Sequence, residues 1–421
     1  MTTSKKNIRP SVFAEAHLDA PLTVSGTPRR FQPAWVLAAL LITLLAGCGS
    51  LSTTHRPAPV THDESRPEFR LIGQQILPQG YRYADVPVGG LSGIDYDPAT
   101  GRYWVISDDR SEFGPARFYE VSLDLSHFNK TPQPGHDGVV FNALHTLKRL
   151  DGSGFADARK DPARSVDPEA IRLHAPSGRL VWASEGERIV DPGKAAVLID
   201  PHVWEMQRDG QFLRAFVVPD KFRASASNRG IRRNLAFEGL AFTPDFATLF
   251  AMTENALLQD GPAASRTESS PSRLLAFDYA SGRARAEFVV DIAPIPAAPT
   301  KADGFADNGA SEILALDDQR LLLIERSYAF GVGNTILLFM IDLRGATDVS
   351  AIDSLVGQSF VPATRRLLLD FGTLGIPIDN IEGMTWGPRL PGGARTLLFV
   401  SDDNFNPRQV MQFIALEVRG L

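Results

Sequence analysis

The chain repeats a pattern of two short apolar segments that are separated by a turn and bounded by polar residues. In the clearest copy, the first segment follows Glu238 and the second ends at Glu254. The polar residues that open the five copies are Ser92, Glu169, Glu238, Glu312 and Glu382. Successive openings are 77, 69, 74 and 70 residues apart, which is a regularity typical of repeat architectures.

Each copy predicts a β-hairpin, because short apolar segments bounded by turn residues favour strands. In the first three copies, the opening residue and the acid that closes the second strand are 16 residues apart. The strands of a hairpin are antiparallel, so the start of the first lies beside the end of the second. We therefore expect the polar positions of all copies to gather at one rim of the assembly.

The spacing of further strand-like segments predicts the architecture. Two follow each of the first four copies, at 196–200 and 212–218 in the second, and one follows the fifth. Segment 69–77 can supply the missing strand. Closed rings remove exposed sheet edges, and propellers achieve this with four-stranded blades. The sequence predicts an all-β fold, a five-bladed β-propeller closed by its N-terminal strand. A sixth blade would need strands within 150–165 or 293–307, and an irregular β-sandwich is the alternative fold.

The composition fits this architecture and excludes some partners. The 421 residues carry a formal charge of -6 with 43% hydrophobic residues, an ordinary globular balance. The mild acidity and the lack of a basic stripe argue against nucleic acid as a partner. A single Cys excludes an internal disulfide, and we expect a monomer.

An apolar run before that Cys indicates export. The run covers residues 34–46, follows Arg29 and Arg30, and is short for a membrane span. It ends Leu45-Ala46-Gly47-Cys48, which resembles a bacterial lipoprotein signal with acylation at Cys48. An ordinary signal peptide or a membrane anchor is the alternative.

The lipoprotein interpretation divides the chain into three parts. Residues 1–47 form a signal peptide with a long n-region, 48–67 a flexible tether rich in Ser, Thr and Pro, and 68–421 the propeller. By resemblance to lipoproteins of Gram-negative bacteria, Gly49 after the Cys favours the outer membrane, with the protein facing the periplasm. Several acyl chains on one Cys would hold it there firmly.

Acidic residues dominate the predicted rim. The opening acids are Glu169, Glu238, Glu312 and Glu382. The acids at the ends of the second strands are Asp108, Asp109, Glu185, Glu254, Glu325, Asp402 and Asp403. Converging carboxylates repel one another, and Ca²⁺ relieves this by accepting six to eight oxygen ligands. The sequence therefore predicts a calcium site, unless the acids bind backbone amides and keep the blades in register.

Arginines near the rim acids suggest an anion site, because Arg binds phosphate or carboxylate in a bidentate manner. They are Arg110, Arg326 and Arg233. Salt bridges within the rim are the alternative explanation.

Several segments resemble one known family, the proteins described as having esterase-like activity of phytase. The matching segments are NLAFEGLAFTPD at 234–245, NGASEIL at 308–314, LIERSY at 323–328, IEGMTWG at 381–387 and VSDDNF at 400–405. The resemblance spans about residues 80 to 415. Ser92 departs from the repeated Glu and leaves the role of the first copy open.

This resemblance implies a propeller-like domain whose Glu and Asp residues carry phosphodiesterase or esterase activity. We expect a metal-activated water, a rim Glu that takes its proton, and Arg326 or Arg110 that holds the substrate oxygens. Of the four opening acids, any can be that base. The alternatives are a non-catalytic, cation-stabilised propeller that binds a ligand or an envelope partner, and a propeller with sugar-lactonase-like activity.

The lipoprotein interpretation predicts that Cys48→Ser releases the protein from membranes or leaves it unprocessed, since the acylated thiol is lost. Cell fractionation and palmitate labelling measure this. Labelling that persists in the variant would show that Cys48 is not the lipidation site.

Overall fold

The computed structural model describes residues 66–421. The predicted signal peptide, the predicted lipidation site Cys48 and nearly all of the predicted tether lie outside the described residues. Between residues 66 and 421, no helix is both long and apolar enough to cross a membrane.

The chain forms short antiparallel strands in sequence order. Strand β1 spans Glu68–Ile76, and a small hairpin follows with β2 (Arg82–Tyr83) and β3 (Val86–Pro87). Blade 1 consists of β4 (Leu91–Asp97), β5 (Arg102–Ser107), β6 (Arg117–Leu123) and β7 (Val139–Thr146). Blade 2 consists of β8 (Pro168–His174), β9 (Arg179–Ser184), β12 (His202–Met206) and β13 (Phe212–Ala215). A separate hairpin pairs β10 (Glu187–Ile189) with β11 (Val197–Ile199).

The remaining strands complete three more blades. Blade 3 consists of β14 (Phe237–Phe242), β15 (Thr248–Thr253), β16 (Ser270–Asp278) and β17 (Arg283–Ile292). Blade 4 consists of β18 (Ala306–Ala315), β19 (Arg320–Ala329), β20 (Gly333–Asp342) and β21 (Thr364–Asp370). Blade 5 consists of β22 (Asn380–Trp386), β23 (Arg395–Asp402), β24 (Gln412–Arg419) and β1. Short 3-10 helices occur at Leu125–His127, Pro162–Arg164, Asp220–Phe222 and Phe371–Leu374.

The predicted five-bladed propeller is confirmed, including its closure by the N-terminal strand. Strand β1 pairs antiparallel with β24, with Glu68 opposite Arg419 and Ile76 opposite Gln412. Within residues 66–421, the segments 150–165 and 293–307 contribute no additional sheet. A sixth blade is therefore excluded for the described part of the chain.

The third strand of blade 2 differs from the prediction. Segment 196–200 supplies β11, which pairs outside the blade, and β12 takes the third position. Strand β12 contains Glu205, which is fully buried between Arg214 and the hydroxyl of Tyr279. A charge inside a strand resembles an exposed position in the sequence, and this explains the missed strand.

The hydrophobic core consists of five layers, one between each pair of neighbouring blades. Strand β23 illustrates the arrangement, because its successive side chains point to opposite faces. Leu397 and Phe399 pack against blade 4, whereas Leu398 and Val400 pack against blade 1. Burial of each such side chain contributes about 1.5–3 kcal/mol. Inner strands buried on both faces explain why the repeats contain continuous apolar runs.

Every innermost strand carries a β-bulge near its start, where one residue has no partner on the neighbouring strand. The bulged residues are Ser92, Glu169, Glu238, Ser311 and Glu382. The predicted phase of the fourth copy was therefore wrong by one residue. Ala310 lies opposite Glu325 and Glu312 opposite Ile324, so Ser311 is the extra residue. A bulge re-aims the side chain it carries, so this shift sends Glu312 in a different direction from the other opening acids.

The five innermost strands meet around the guanidinium group of Arg172, which is 2% exposed. Its nitrogens donate to one carbonyl of every innermost strand, always two residues after the bulge, at distances of 2.6–3.2 Å. The acceptors are Ile94, Ile171, Leu240, Ile313 and Met384. Glu312 lies beside this group, with its Oε2 2.5 Å from Nη2 of Arg172.

We expect Arg172→Met to lower the free energy of unfolding by about 3–5 kcal/mol, because it leaves Glu312 buried and unpaired and removes donors from five strands. The matched control is Arg102→Met, since Arg102 is 40% exposed and pairs with Glu120 at 2.9 Å. Such an exposed pair contributes about 0–1 kcal/mol. Urea unfolding of both variants measures the difference, and equal loss in the two would contradict a stabilising role for the axial arginine.

Candidate functional site

The rim lies where the innermost strands begin and the second strands end. In four blades, an acid lies one residue after the second-strand residue that pairs just before the bulge. These acids are Asp108, Glu185, Glu254 and Asp402. In blade 4, Arg326 occupies this position, opposite Gly309. The ring at the rim thus combines four carboxyl groups with one guanidinium group, as antiparallel pairing predicts.

Arg326 joins three blades through its side chain, which is 12% exposed. Its Nη1 lies 3.0 Å from Oδ2 of Asp307. Its Nη2 lies 3.3 Å from Oε1 of Glu254 and 3.5 Å from Oε1 of Glu382. The side chain of Glu254 packs directly against Gly309. A Cβ at position 309 would lie 2.3 Å from the Cγ of Glu254, so only glycine fits there.

Two carboxylate clusters form at the rim, and the second includes Glu254, a partner of Arg326. Ligand oxygens of Asp167, Glu169 and Glu185 lie within 4.8 Å of one another. Oxygens of Glu185, Glu238 and Glu254 do the same. All five acids are buried, and Glu185 belongs to both clusters.

The clusters hold their protons unusually tightly. Burial raises the pKa of Asp167 to about 6, although Arg110 opposes this, and burial together with the Asp167 charge raises the pKa of Glu185 to about 8. Burial and repulsion from Glu238 hold the pKa of Glu169 well above its usual range. Burial and repulsion from Glu185 hold the pKa of Glu238 and of Glu254 well above the usual range, although Arg326 opposes the shift of Glu254. Crowding of like charges away from water therefore sets the electrostatics of the site.

Hydrogen bonding within the rim is uneven. Among the described residues, no donor contacts the carboxylate of Glu169, which is 8% exposed. By contrast, Asn380 donates to Oε1 of Glu382 at 2.9 Å and to Oδ2 of Asp402 at 3.3 Å. Asp402 also accepts the amide of Asn404. Glu169 is thus the buried acid with the most unused acceptor capacity in its cluster.

Five of the seven predicted metal ligands lie outside the two clusters. Asp108 and Asp402 remain at the rim, whereas the other three have different partners. Asp109 accepts Nη1 of Arg117 and turn amides, and Asp403 accepts the amides of Gly90 and Phe405. Glu325 occupies the position before Arg326 and contacts Arg365 and Asn308 instead of the rim. The alternative from the sequence, acids that bind amides and hold the blades, describes Asp109 and Asp403.

Glu312 is also separate from the other predicted catalytic acids. Its Oε1 accepts the amides of Leu240 at 3.3 Å and Ile313 at 2.9 Å, and its Oε2 faces Arg172. The residues at the matching position of blades 1, 3 and 5 are glycines, where strands approach closely. Glu169, Glu238 and Glu382 are the opening acids that the structure brings to the rim.

The other two predicted arginines share one partner. Nη2 of Arg110 lies 2.7 Å from Oε2 of Glu187, and its Nε lies 3.6 Å from Oδ2 of Asp167. Nε of Arg233 lies 3.4 Å from Oε1 of Glu187, but its side chain is half exposed. Arg110 therefore reaches the first carboxylate cluster, whereas Arg233 lies at its periphery.

Sequence reasoning missed three rim residues, Asp167, Asn380 and Asp307. Asp167 and Asn380 occupy matching positions, since Asn380 pairs with Asp402 and the carbonyl of Asp167 accepts the amide of Glu185 at 3.1 Å. The sequence feature that could have identified Asp167 and Asn380 is a polar residue two positions before an opening acid. That signal is weak, because Gly90 and Gly309 occupy the same position in blades 1 and 4.

A family model described as "Phytase-like: Esterase-like activity of phytase" matches residues 86–405. No curated protein matches the chain in sequence.

Three solved structures are similar in fold. The Dos1 propeller has 7% identity and a TM-score of 0.32, covering 79% of this chain and 68% of that one. Hydrazine synthase of Kuenenia stuttgartiensis has 12% identity and a TM-score of 0.35, covering 77% and 80%. U3-55K has 8% identity and a TM-score of 0.35, covering 82% and 99%.

The raised pKa values predict that stability without divalent cations falls as pH rises from about 5 to 8. The unfolded chain releases these protons near the ordinary carboxyl pKa, whereas the folded Asp167 and Glu185 hold theirs to about 6 and about 8. The folded state therefore binds more protons than the unfolded state in this window. Each extra bound proton lowers the free energy of unfolding by about 1.4 kcal/mol for every unit that the pH rises.

Thermal unfolding in a chelating buffer between pH 5 and 9 measures this dependence. Glu185→Gln should flatten the decline, and Glu120→Gln, a change in a partly exposed acid, should not. An identical pH dependence in wild type and Glu185→Gln would show that the cluster does not hold these protons.

Proposed function

Because the chain belongs to the family described as esterase-like activity of phytase, we propose that it is a cation-dependent hydrolase of phosphate esters or related esters. One observation carries this proposal. The buried Nε atoms of Arg110 and Arg326 have no hydrogen-bond acceptor within the described chain. Each arginine therefore keeps a donor next to a carboxylate cluster. Arg donors suit the oxygens of phosphate and carboxylate esters.

The residues present fit a hard divalent cation such as Ca²⁺. Both clusters offer carboxylate oxygens alone, which are the ligands that Ca²⁺ prefers. Glu169 has no competing donor among the described residues, so its oxygens are available to a cation. The first cluster, Asp167, Glu169 and Glu185, and the second, Glu185, Glu238 and Glu254, would hold the ion or ions.

The chemistry divides among the rim residues. A bound divalent cation offsets negative charge on the substrate and lowers the pKa of water. Arg326 and Arg110 bind the ester oxygens through Nε donors that make no hydrogen bond within the described chain, and they orient the substrate. Glu382 lies outside both clusters and 3.5 Å from Arg326, so its carboxylate accepts the proton of the attacking water.

We further propose that the protein is a lipoprotein of the cell envelope. The support is the sequence that ends at Cys48. A lipid anchor through Cys48 would hold the propeller at the outer membrane, facing the periplasm, where small esters are accessible.

The experiment is turnover of bis-p-nitrophenyl phosphate, p-nitrophenyl acetate and a lactone, with Ca²⁺ and with chelator. Wild type should hydrolyse the phosphodiester only with Ca²⁺. Glu185→Gln should lose activity about 100-fold or more, because it removes the ligand common to both clusters. Glu382→Gln should lose activity by a similar factor, because general-base catalysis typically contributes 10²–10⁴-fold. Glu120→Gln is the matched control on an acid away from the rim.

Thermal unfolding distinguishes the cation-binding role of Glu185 from the proton-accepting role of Glu382. Calcium at a hundredfold excess over its Kd should stabilise wild type and Glu382→Gln by about 2.7 kcal/mol, since the ion binds only the folded state. Glu185→Gln should lose this stabilisation. Calcium stabilisation without turnover of any substrate would favour the non-catalytic, ligand-binding alternative. Turnover of the lactone alone would favour a lactonase.

A further inference from the structure

Two aromatic rings stack at the edge of the acidic rim. Phe113 follows β5 in blade 1, and Phe405 follows β23 in blade 5. Their ring centroids lie 4.3 Å apart with an interplanar angle of 16°. Phe113 is nevertheless 49% exposed, so much of its ring faces solvent. An exposed stacked pair provides a flat apolar surface across the boundary of the two blades.

Two acids outside the carboxylate clusters hold this pair in place. Asp109 accepts the amide of Phe113 at 3.1 Å, and Asp403 accepts the amide of Phe405 at 3.2 Å. Asp403 also accepts the amide of Gly90 at 3.0 Å, which ties the loop of Phe405 to the segment before β4 of blade 1. In each Asp-Asp pair, the first acid therefore belongs to the rim and the second presents an aromatic residue.

The backbone of both loops adopts unfavourable conformations. Ser111, Asn404 and Phe405 have φ values of 60°, 48° and 49°, in the left-handed region that non-glycine residues avoid. Two consecutive residues of this kind at Asn404 and Phe405 direct the Phe405 ring toward blade 1. Strain of this sort persists where surrounding contacts fix it, and it is concentrated at ligand sites.

The rings lie directly beside a rim carboxylate. A Cβ placed on Gly90 would lie 1.8 Å from Oδ1 of Asp108 and 2.9 Å from Cε2 of Phe405. Both atoms therefore border the same small volume over Gly90. The guanidinium carbon of Arg159 lies over the ring of Phe113, 5.8 Å from its centroid, so the partly exposed ring already contacts a cation.

We propose that Phe113 and Phe405 form a stacking platform for a planar ring of the substrate. The proposal rests on the proposed function and narrows it: the ester cleaved at the rim carries an aromatic group next to its phosphate. The phosphate then faces the carboxylate clusters and the free Nε donors, while the ring covers the exposed face of Phe113. Phe113 and Phe405 determine specificity in this arrangement and take no part in bond breaking.

The test compares the binding of phenyl phosphate and methyl phosphate by calorimetric titration of the whole protein with Ca²⁺ present. Stacking on an aromatic ring should make phenyl phosphate bind about tenfold more tightly. Phe113→Leu should remove most of this preference and leave the affinity for methyl phosphate unchanged. Phe405→Leu should also reduce the preference, because it takes away the ring that supports Phe113.

Phe330→Leu is the matched control, since Phe330 is an exposed phenylalanine of blade 4. It should keep the full preference. Thermal unfolding confirms that each variant is folded and keeps its calcium response. Equal affinity of wild type for the two ligands, or a preference that survives both substitutions, overturns the stacking platform but leaves the proposed function intact. Binding of neither ligand overturns both.

Discussion

The hydrogen bonds of Arg172 are the constraint on which the whole ring depends. The inner edge of each blade exposes carbonyls that no neighbouring strand can satisfy. One guanidinium group satisfies a carbonyl from every blade, and Glu312 balances its charge. The ring thus gains a common centre that fixes the rotation and depth of all five innermost strands. A buried cation that binds five carbonyls fits only one register, so its geometry also selects against slipped blades.

The same centre shapes the rim above it. Because Arg172 and Glu312 fill the axis, the carboxylates at the rim lie over protein and lose solvation on one side. Each bulge turns its side chain out of the regular alternation, and in three blades that side chain is a Glu. The result is a group of acids that hold protons when no cation is bound. Once these protons are released at higher pH, repulsion between the carboxylates lowers stability.

Most of the fold follows from the sequence, because blade repeats encode strand order through regular spacing. The candidate site follows only in part. The phase of the fourth copy was hidden because Ser311 and Glu312 are adjacent polar residues, and only strand pairing decides which one is extra. Arg172 gave no signal, since a single charge within an apolar strand resembles an exposed position. The buried Glu205 hid strand β12 for the same reason, so segment 196–200 was predicted as the third strand of blade 2 instead. The roles of Asp109 and Asp403 depend on loop conformation, which the spacing of residues does not encode.

Closure of blade 5 by β1 has a consequence for biosynthesis. Glu68 pairs with Arg419, so the first strand emerges from the ribosome long before its partner exists. Contacts of such large sequence separation make folding slow. Until then, β1 presents an unpaired edge that invites association with other chains. Until β24 is present, β1 has no partner strand and blade 5 cannot close the ring.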